Sequence, residues 1–214
     1  MTARGGPSAV RAFGEGALLL QLEQRIDEDV AARASAIADA WEARGLGPAV
    51  PAYASVLLRF DPLATVPERA ERAAAELLAS PPAAETRAGR RIEVPTRYDG
   101  PDLAETAERS GMTADQLVAA HAGRDYRAYF LGFMPGFAYL GTLDPRIRAP
   151  RLATPRQRVP AGAVAVIDGQ TAIYPLASPG GWRLIGRTDL AAFDPERDPP
   201  ALIRAGDTVR FVAT

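Results

Sequence analysis

His121 is the only histidine in this 214-residue chain, and cysteine and lysine are absent. It is therefore the one side chain whose ordinary pKa lies near neutrality. Its place at the end of a helix-like segment, just before AGRDYRAYFLGF, leaves two readings. It is a general acid/base or substrate ligand, or it is a helix-terminal histidine satisfying backbone carbonyls where the helix dipole favours a cation. A second chemical resource runs from Leu131 to Thr188, which holds eight Gly and seven Pro among 58 residues. Phe133, Phe137, Tyr139, Tyr174 and Trp182 thread this stretch. Disordered Pro/Gly-rich sequence lacks such large aromatics, so the pattern describes rigid loops over a β scaffold.

Within that stretch GFMPGFAYLG can form an aromatic wall, with Gly132, Gly136 and Gly141 letting backbone amides face a ligand. The alternative is a tight turn whose aromatics fill a core. Arg146, Arg148, Arg151, Arg156 and Arg158 follow, interleaved with Pro150 and Pro155. They read as a solvated face, or as guanidinium forks held out on an extended loop for carboxylate, phosphate or an acidic partner. In GQTAIYP, strand alternation puts Gln170, Ala172 and Tyr174 on one face and Thr171 and Ile173 on the other. Gln and a Tyr hydroxyl on one face suit a small amide or carboxylate; ordinary barrel packing is the other reading. Ser178 lies in ASPGGW, not in a nucleophile elbow.

Composition excludes more than it proposes. All 25 basic residues are Arg, so a phosphate-loop lysine, a Schiff base and covalent biotin are ruled out. Without Cys there is no thiolate, disulfide or cysteine metal site, and one His cannot make a multi-histidine zinc site. A net charge of −1 makes no case for nucleic acid or an anionic membrane. No apolar run is long enough to span a bilayer, and MTARGGPSAVRAFGEG lacks a signal-peptide core, so the expected compartment is the cytoplasm.

The elements that must position these groups form two sets. ALLLQL reads as a strand, Asp27 caps a helix to about Arg44, Tyr53–Phe60 is β-rich, and Pro67–Ala79 is a second helix. This β-α-β-α order predicts a small α+β domain over residues 1–85, with helices on one sheet face and Ser80–Gly89 as a linker. Residues 86–214 begin with the strand RIEVPTRY, followed by two short helices, Pro101–Ser110 and Thr113–His121, the latter with a capping box. Short strands in YRAYFLGF, AVAVID, TAIYPL, WRLIG and DTVRFVAT then predict a barrel or sandwich.

The series GFMPGFAYLGTLDPRI, ATPRQRVPAG, GQTAIYPLASPGGWRLIGRT and FDPERDPPALIRAGDTVRF resembles the family of the 5-oxoprolinase B subunit. That family is also called KipI or allophanate hydrolase subunit 1, and the likeness covers nearly the whole chain. It implies an α+β protein: a small N-terminal α+β domain followed by a cyclophilin-like β barrel. It implies pairing with a C-subunit homologue and, with an A-subunit homologue, an ATP-dependent opening of 5-oxo-L-proline to L-glutamate. ATP would act in the complex, with no metal site or biotin in this chain. The same likeness extends to one half of the carboxyltransferase domain of urea carboxylase, acting on urea or a related amide between two barrels. One branch of the family inhibits a sensor histidine kinase, which offers a regulatory alternative. Carried over by motif, the expected catalytic residues are His121 and Arg187. The expected substrate-binding residues are Phe133, Pro135, Gly136, Tyr139, Arg156, Gln170, Tyr174 and Trp182. The chain departs from the family pattern with GFAYLGTL for GFPYLGGL and DGQTAIYP for GGQTGIYP, and it is shorter after Tyr98. Ala172 and Asp168 thereby add a methyl group and a charge beside the expected pocket.

Overall fold

The computed structural model describes residues 9–83 and 89–214. The chain divides into two compact units, Met1–Arg87 and Ala88–Thr214. Part of the expected Ser80–Gly89 linker, residues 84–88, lies outside the described residues.

In the first unit β1 (Ala9–Ala12), β2 (Ala17–Gln21), β3 (Ala49–Pro51) and β4 (Ser55–Arg59) form an antiparallel sheet in the order β1-β2-β4-β3. Helix α1 (Glu28–Ala43) starts at Asp27, whose side chain accepts from the Asp29 and Val30 amides, as its capping position requires. Helix α2 (Pro67–Ala79) has Pro67 in its first turn, where a missing N–H costs nothing. Leu18, Leu20, Val56 and Leu58 alternate onto one sheet face and bury against Ile37, Trp41, Ala70 and Leu77 of the helices. Trp41 donates its indole N–H to the Arg59 carbonyl at 2.9 Å, satisfying the one polar atom this core ring carries. The unit thus has two strands more than the β-α-β-α order expected. Both extra strands, β1 and β3, are short and lie at the sheet edges, where Ala, Arg and Pro give no alternating signal.

The second unit opens with β5 (Arg91–Thr96), then α3 (Leu103–Arg109) and α4 (Ala114–Ala122). Strands β6 (Asp125–Leu131), β7 (Ala138–Gly141), β8 (Arg156–Val159) and β9 (Ala163–Ile167) follow. The chain ends with β10 (Gln170–Ile173), β11 (Ser178–Gly180), β12 (Arg183–Arg187) and β13 (Thr208–Ala213). Seven strands make one sheet in the order β12-β9-β10-β7-β6-β13-β5, while β8 and β11 pair separately. Only β5 and β13 are parallel. The sheet nearly closes into a barrel, because Arg97 and Arg187 exchange backbone hydrogen bonds of 2.9 and 2.8 Å between its two edges. Gly100 and Asp102 continue the seam onto the Ile185 and Leu184 carbonyls. The seam is tight enough that a Cβ on Gly186 would stand 2.5 Å from the Arg97 carbonyl oxygen. The described residues thus form a mixed α/β structure with a nearly closed seven-stranded barrel-like sheet and four helices.

Alternation divides the second unit's apolar residues between two cores. Val164, Val166, Ile173 and Ile185 join Tyr126, Leu140, Val209 and Phe211 in one, with Ala107 of α3 and Leu117 of α4 packed in. Ala165, Ala172, Tyr174 and Leu184 point the other way, into a smaller cluster with Phe137 and Trp182. The expected split of Thr171 and Ile173 from Ala172 and Tyr174 is therefore seen. It gives each side of β10 a different task. No helix among the described residues is long and apolar enough to cross a membrane.

Candidate functional site

The aromatic residues of the Gly/Pro-rich stretch converge on the smaller core. Phe137 sits at the hub, edge-on to Tyr139, Tyr174 and Trp182 with ring centroids 5.0, 5.3 and 5.6 Å away. Phe130 stacks on Tyr139 at 4.4 Å, and Phe133 meets Phe137 edge-on at 5.4 Å. Such geometry aligns ring edges with ring faces and makes the wall rigid. Its rim is a tight turn. The Gly132 amide donates to the Phe137 carbonyl and the Met134 amide donates back to Gly132, forcing Phe133 to a φ of +67°. Phe133 is left 61% exposed, held in a backbone conformation that non-glycine residues rarely adopt. Gly136, at φ +76°, allows the turn to close on Phe193, which a Cβ would approach to 2.7 Å. Pro135 lies in this turn, and Phe133, Pro135, Gly136, Tyr139, Tyr174 and Trp182 share one region.

Two glycines sharpen it. A Cβ on Gly180 would stand 2.4 Å from the Tyr174 hydroxyl oxygen, and one on Gly181 would stand 2.9 Å from Arg151 Nε. Absence of side chains at these two positions lets the phenol and the guanidinium approach the β11–β12 connection. The Arg151 charge acts on the hydroxyls of both Tyr174 and Tyr139. Burial pushes both tyrosines above their ordinary pKa, so both stay protonated donors at neutral pH. Arg151 itself is placed by its loop. Asp168 accepts from the Ala149 amide at 3.0 Å, Arg183 donates to the Pro150 carbonyl at 3.2 Å, and the Leu152 amide donates to Gly181 at 2.8 Å. Asp168, one of the departures from the family pattern, thus anchors this loop. Another departure, Ala172, is completely buried in the aromatic core.

Arg156 is tied down differently from the extended, free guanidinium its loop position led one to expect. It lies on β8, where its Nη2 donates to the buried Asp102 carboxylate at 2.6 Å, and Asp102 also accepts from the Leu184 amide at 2.7 Å. The Nη1 of Arg156 is buried without a hydrogen-bond acceptor among the described residues. Arg146 is likewise occupied, bonded to Asp144, whose pKa the guanidinium holds down at about 2. Among the described residues Arg151 has no carboxylate within ion-pair distance, unlike these two neighbours.

Three expected residues lie elsewhere. His121 is completely buried in the larger core, between Tyr98, Tyr126 and Phe211. Its Nδ1 is 2.7 Å from the Tyr98 hydroxyl and its Nε2 is 2.9 Å from the Thr171 hydroxyl. Both ring nitrogens bond side chains rather than the helix carbonyls, and desolvation lowers the pKa from 6.5 to about 3. Burial here outweighs the helix-end field that favours the cation. Arg187 lies at the barrel seam, bonded to Asp99 at 2.7 Å, in a cleft of about 510 Å³ with Pro95, Arg97, Thr188, Asp189, Leu190 and Thr214. Gln170 opens β10 half-buried, paired in register with Gly141 and Ile167. Sequence reasoning missed Phe137 as the hub and the buried Asp102, and it left Arg151 undistinguished within the arginine run. The Gly180-Gly181 pair was the available signal of close approach.

Known proteins share this architecture. The family model described as "Carboxyltransferase domain, subdomain C and D" matches residues 8–203. A Bacillus subtilis protein named as the B subunit of 5-oxoprolinase is 35% identical over 95% of this chain and 91% of its own length. An Escherichia coli O157:H7 protein of the same name is 52% identical over 56% of this chain and 57% of its own length. The crystal structure of TTHA0988 superposes with a TM-score of 0.79 at 42% identity, covering 96% of this chain and 40% of that one. The alignments thus span little more than half of the Escherichia coli relative and less than half of TTHA0988. Matched along almost its entire length, the chain belongs to the carboxyltransferase-domain family, subdomains C and D, and within it to the family of the 5-oxoprolinase B subunit.

Proposed function

We propose that this chain is the B subunit of a 5-oxoprolinase complex, acting with C-subunit and A-subunit homologues to convert 5-oxo-L-proline to L-glutamate with ATP. The observation that carries this reading is the alignment of nearly the whole chain with a named B subunit, over a second unit that builds an aromatic wall beside Arg151. A five-membered lactam has an apolar ring face and a polar amide edge. The wall of Tyr139, Tyr174 and Trp182, with Phe133 at its rim, supplies the first need, and tyrosine hydroxyls with a guanidinium supply the second. Opening the ring requires loss of amide resonance, with charge collecting on the amide oxygen, where such donors stabilise it.

His121 enters this reading as a positioning residue that holds β10 through Thr171, because its nitrogens are occupied and shielded. Arg156 supports the wall from its pair with Asp102, and Arg187 serves the barrel seam. This chain carries no phosphate-loop motif for a nucleotide. It has no lysine, and among the described residues no three acidic or histidine side chains gather to hold the metal that accompanies a triphosphate. ATP belongs to a partner protein in this proposal, and no phosphoryl step is assigned here. The barrel is read as cyclophilin-like, the domains as residues 1–85 and 86–214, and the site of action as the cytoplasm.

Co-expression with the C-subunit and A-subunit homologues, followed by an assay of ATP-dependent glutamate formation from 5-oxo-L-proline, tests the proposal. Turnover that needs all three chains is expected. A stable complex without glutamate formation would refute the substrate, and full turnover by this chain alone would refute the dependence on partners.

A further inference from the structure

We propose that Arg151 and the Tyr174 hydroxyl form the subsite that recognises a carboxylate on the substrate, and so select acidic lactams over neutral ones; this rests on the lactam reading of the function. Three observations lead to it. Arg151 lacks a carboxylate partner among the described residues, whereas Arg146, Arg156, Arg183 and Arg187 each have one within 2.8 Å. A guanidinium without a counter-ion beside a rigid apolar wall is poised for an exogenous anion, and its fork matches a carboxylate. The loop that carries it is pinned at Ala149, Pro150 and Leu152, so its backbone is organised before any ligand arrives. Finally, Gly181 leaves room for the Arg151 side chain to lie against the β11–β12 connection next to Trp182.

Tyr174 completes the subsite. Its hydroxyl lies against Gly180, where a Cβ would stand 2.4 Å away, burial keeps it protonated, and the Arg151 charge acts on that same hydroxyl. A carboxylate at this point takes one charged fork and one O–H, while the ring carbons of the ligand lie on Trp182 and Tyr139. The removal of one charged donor from such a pair weakens binding by about 10- to 100-fold.

The test uses the complex assembled with its partner proteins. Arg151→Ala is expected to raise the KM for 5-oxo-L-proline by about 10- to 100-fold with little change in kcat, and Arg151→Lys to fall between. Inhibition by 2-pyrrolidinone, the same ring without the carboxylate, is expected to be equal in wild type and Arg151→Ala. An unchanged KM in Arg151→Ala, or equal losses for the acid and the neutral lactam, would overturn the subsite while leaving the function intact. If the wild-type complex forms no glutamate, the function proposal fails instead. Calorimetric titration of this full chain with 5-oxo-L-proline and with 2-pyrrolidinone then decides the subsite. Preference for the acid that disappears in Arg151→Ala upholds it, and no preference for the acid overturns it.

Discussion

His121 Nε2 lies 2.9 Å from the Thr171 hydroxyl, which itself donates to the Ala165 carbonyl at 2.9 Å. With its one proton spent on Ala165, Thr171 can only accept from His121, so Nε2 carries the hydrogen and Nδ1 accepts from the Tyr98 hydroxyl. The imidazole is therefore neutral, and burial lowers its pKa from 6.5 to about 3. Between those values the unfolded chain binds a proton that the folded chain refuses. The stability due to His121 is complete above pH 6.5 and falls as pH drops toward 3, by about 1.4 kcal/mol per unit. Carboxylates held down by arginines, such as Asp144 and Asp207, contribute in the same direction only from the ordinary carboxylate range downward. The resistance of the second unit to urea is thus expected to fall steadily from pH 6.5 to about 4.5. A flat midpoint over that interval would show a histidine still open to protons.

The buried pair of Asp102 and Arg156 predicts an order of substitutions. Asp102 is 5% exposed and serves two donors, Arg156 Nη2 and the Leu184 amide. Asp102→Ala strands both and leaves a partly buried cation, a loss of about 3 kcal/mol or more. Asp102→Asn keeps an acceptor for the Leu184 amide and is expected to cost less. Chemical denaturation of the full chain measures both; equal losses would mean that the backbone bond contributes nothing.

Local chemistry made some of this fold legible and left other parts silent. Asp27 and the Thr113–Gln116 capping box marked the starts of α1 and α4 because caps are read within a few residues. Strand β7 is silent in the sequence because Gly136 just before it and Gly141 at its end read as loop. Strands β8 and β11 are silent because Arg and Pro dominate them. Barrel closure depends on a bridge between Arg97 and Arg187 that no local pattern announces. The aromatic wall was visible as a composition, since large rings amid Gly and Pro must be buried somewhere. The surroundings of His121 were not, because Thr171 is 50 residues away.

Gly180 predicts a coupled pair of substitutions. A Cβ there would stand 2.4 Å from the Tyr174 hydroxyl oxygen and 2.9 Å from its Cζ. Gly180→Ala is expected to destabilise the second unit by about 1–3 kcal/mol, as overpacking does. Tyr174→Phe removes the nearer atom, so the double variant should recover part of that loss, a non-additivity that a double-mutant cycle resolves. Additive losses would place the two residues out of contact.

Phe133 separates binding from stability. Its φ of +67° costs a non-glycine residue about 1 kcal/mol, and its ring is 61% exposed and edge-on to Phe137. In Phe133→Gly the relieved backbone offsets the lost ring contact, itself worth about 0.5–1.5 kcal/mol, so the melting temperature should hardly move. The exposed ring stands at the rim of the aromatic wall, so the same variant in the assembled complex should raise the KM for the lactam several-fold, most of it expressed as faster ligand release. A variant that melts far lower would make the ring a structural prop. One that leaves both melting and KM unchanged would remove Phe133 from the binding surface and confine the wall to Tyr139, Tyr174 and Trp182.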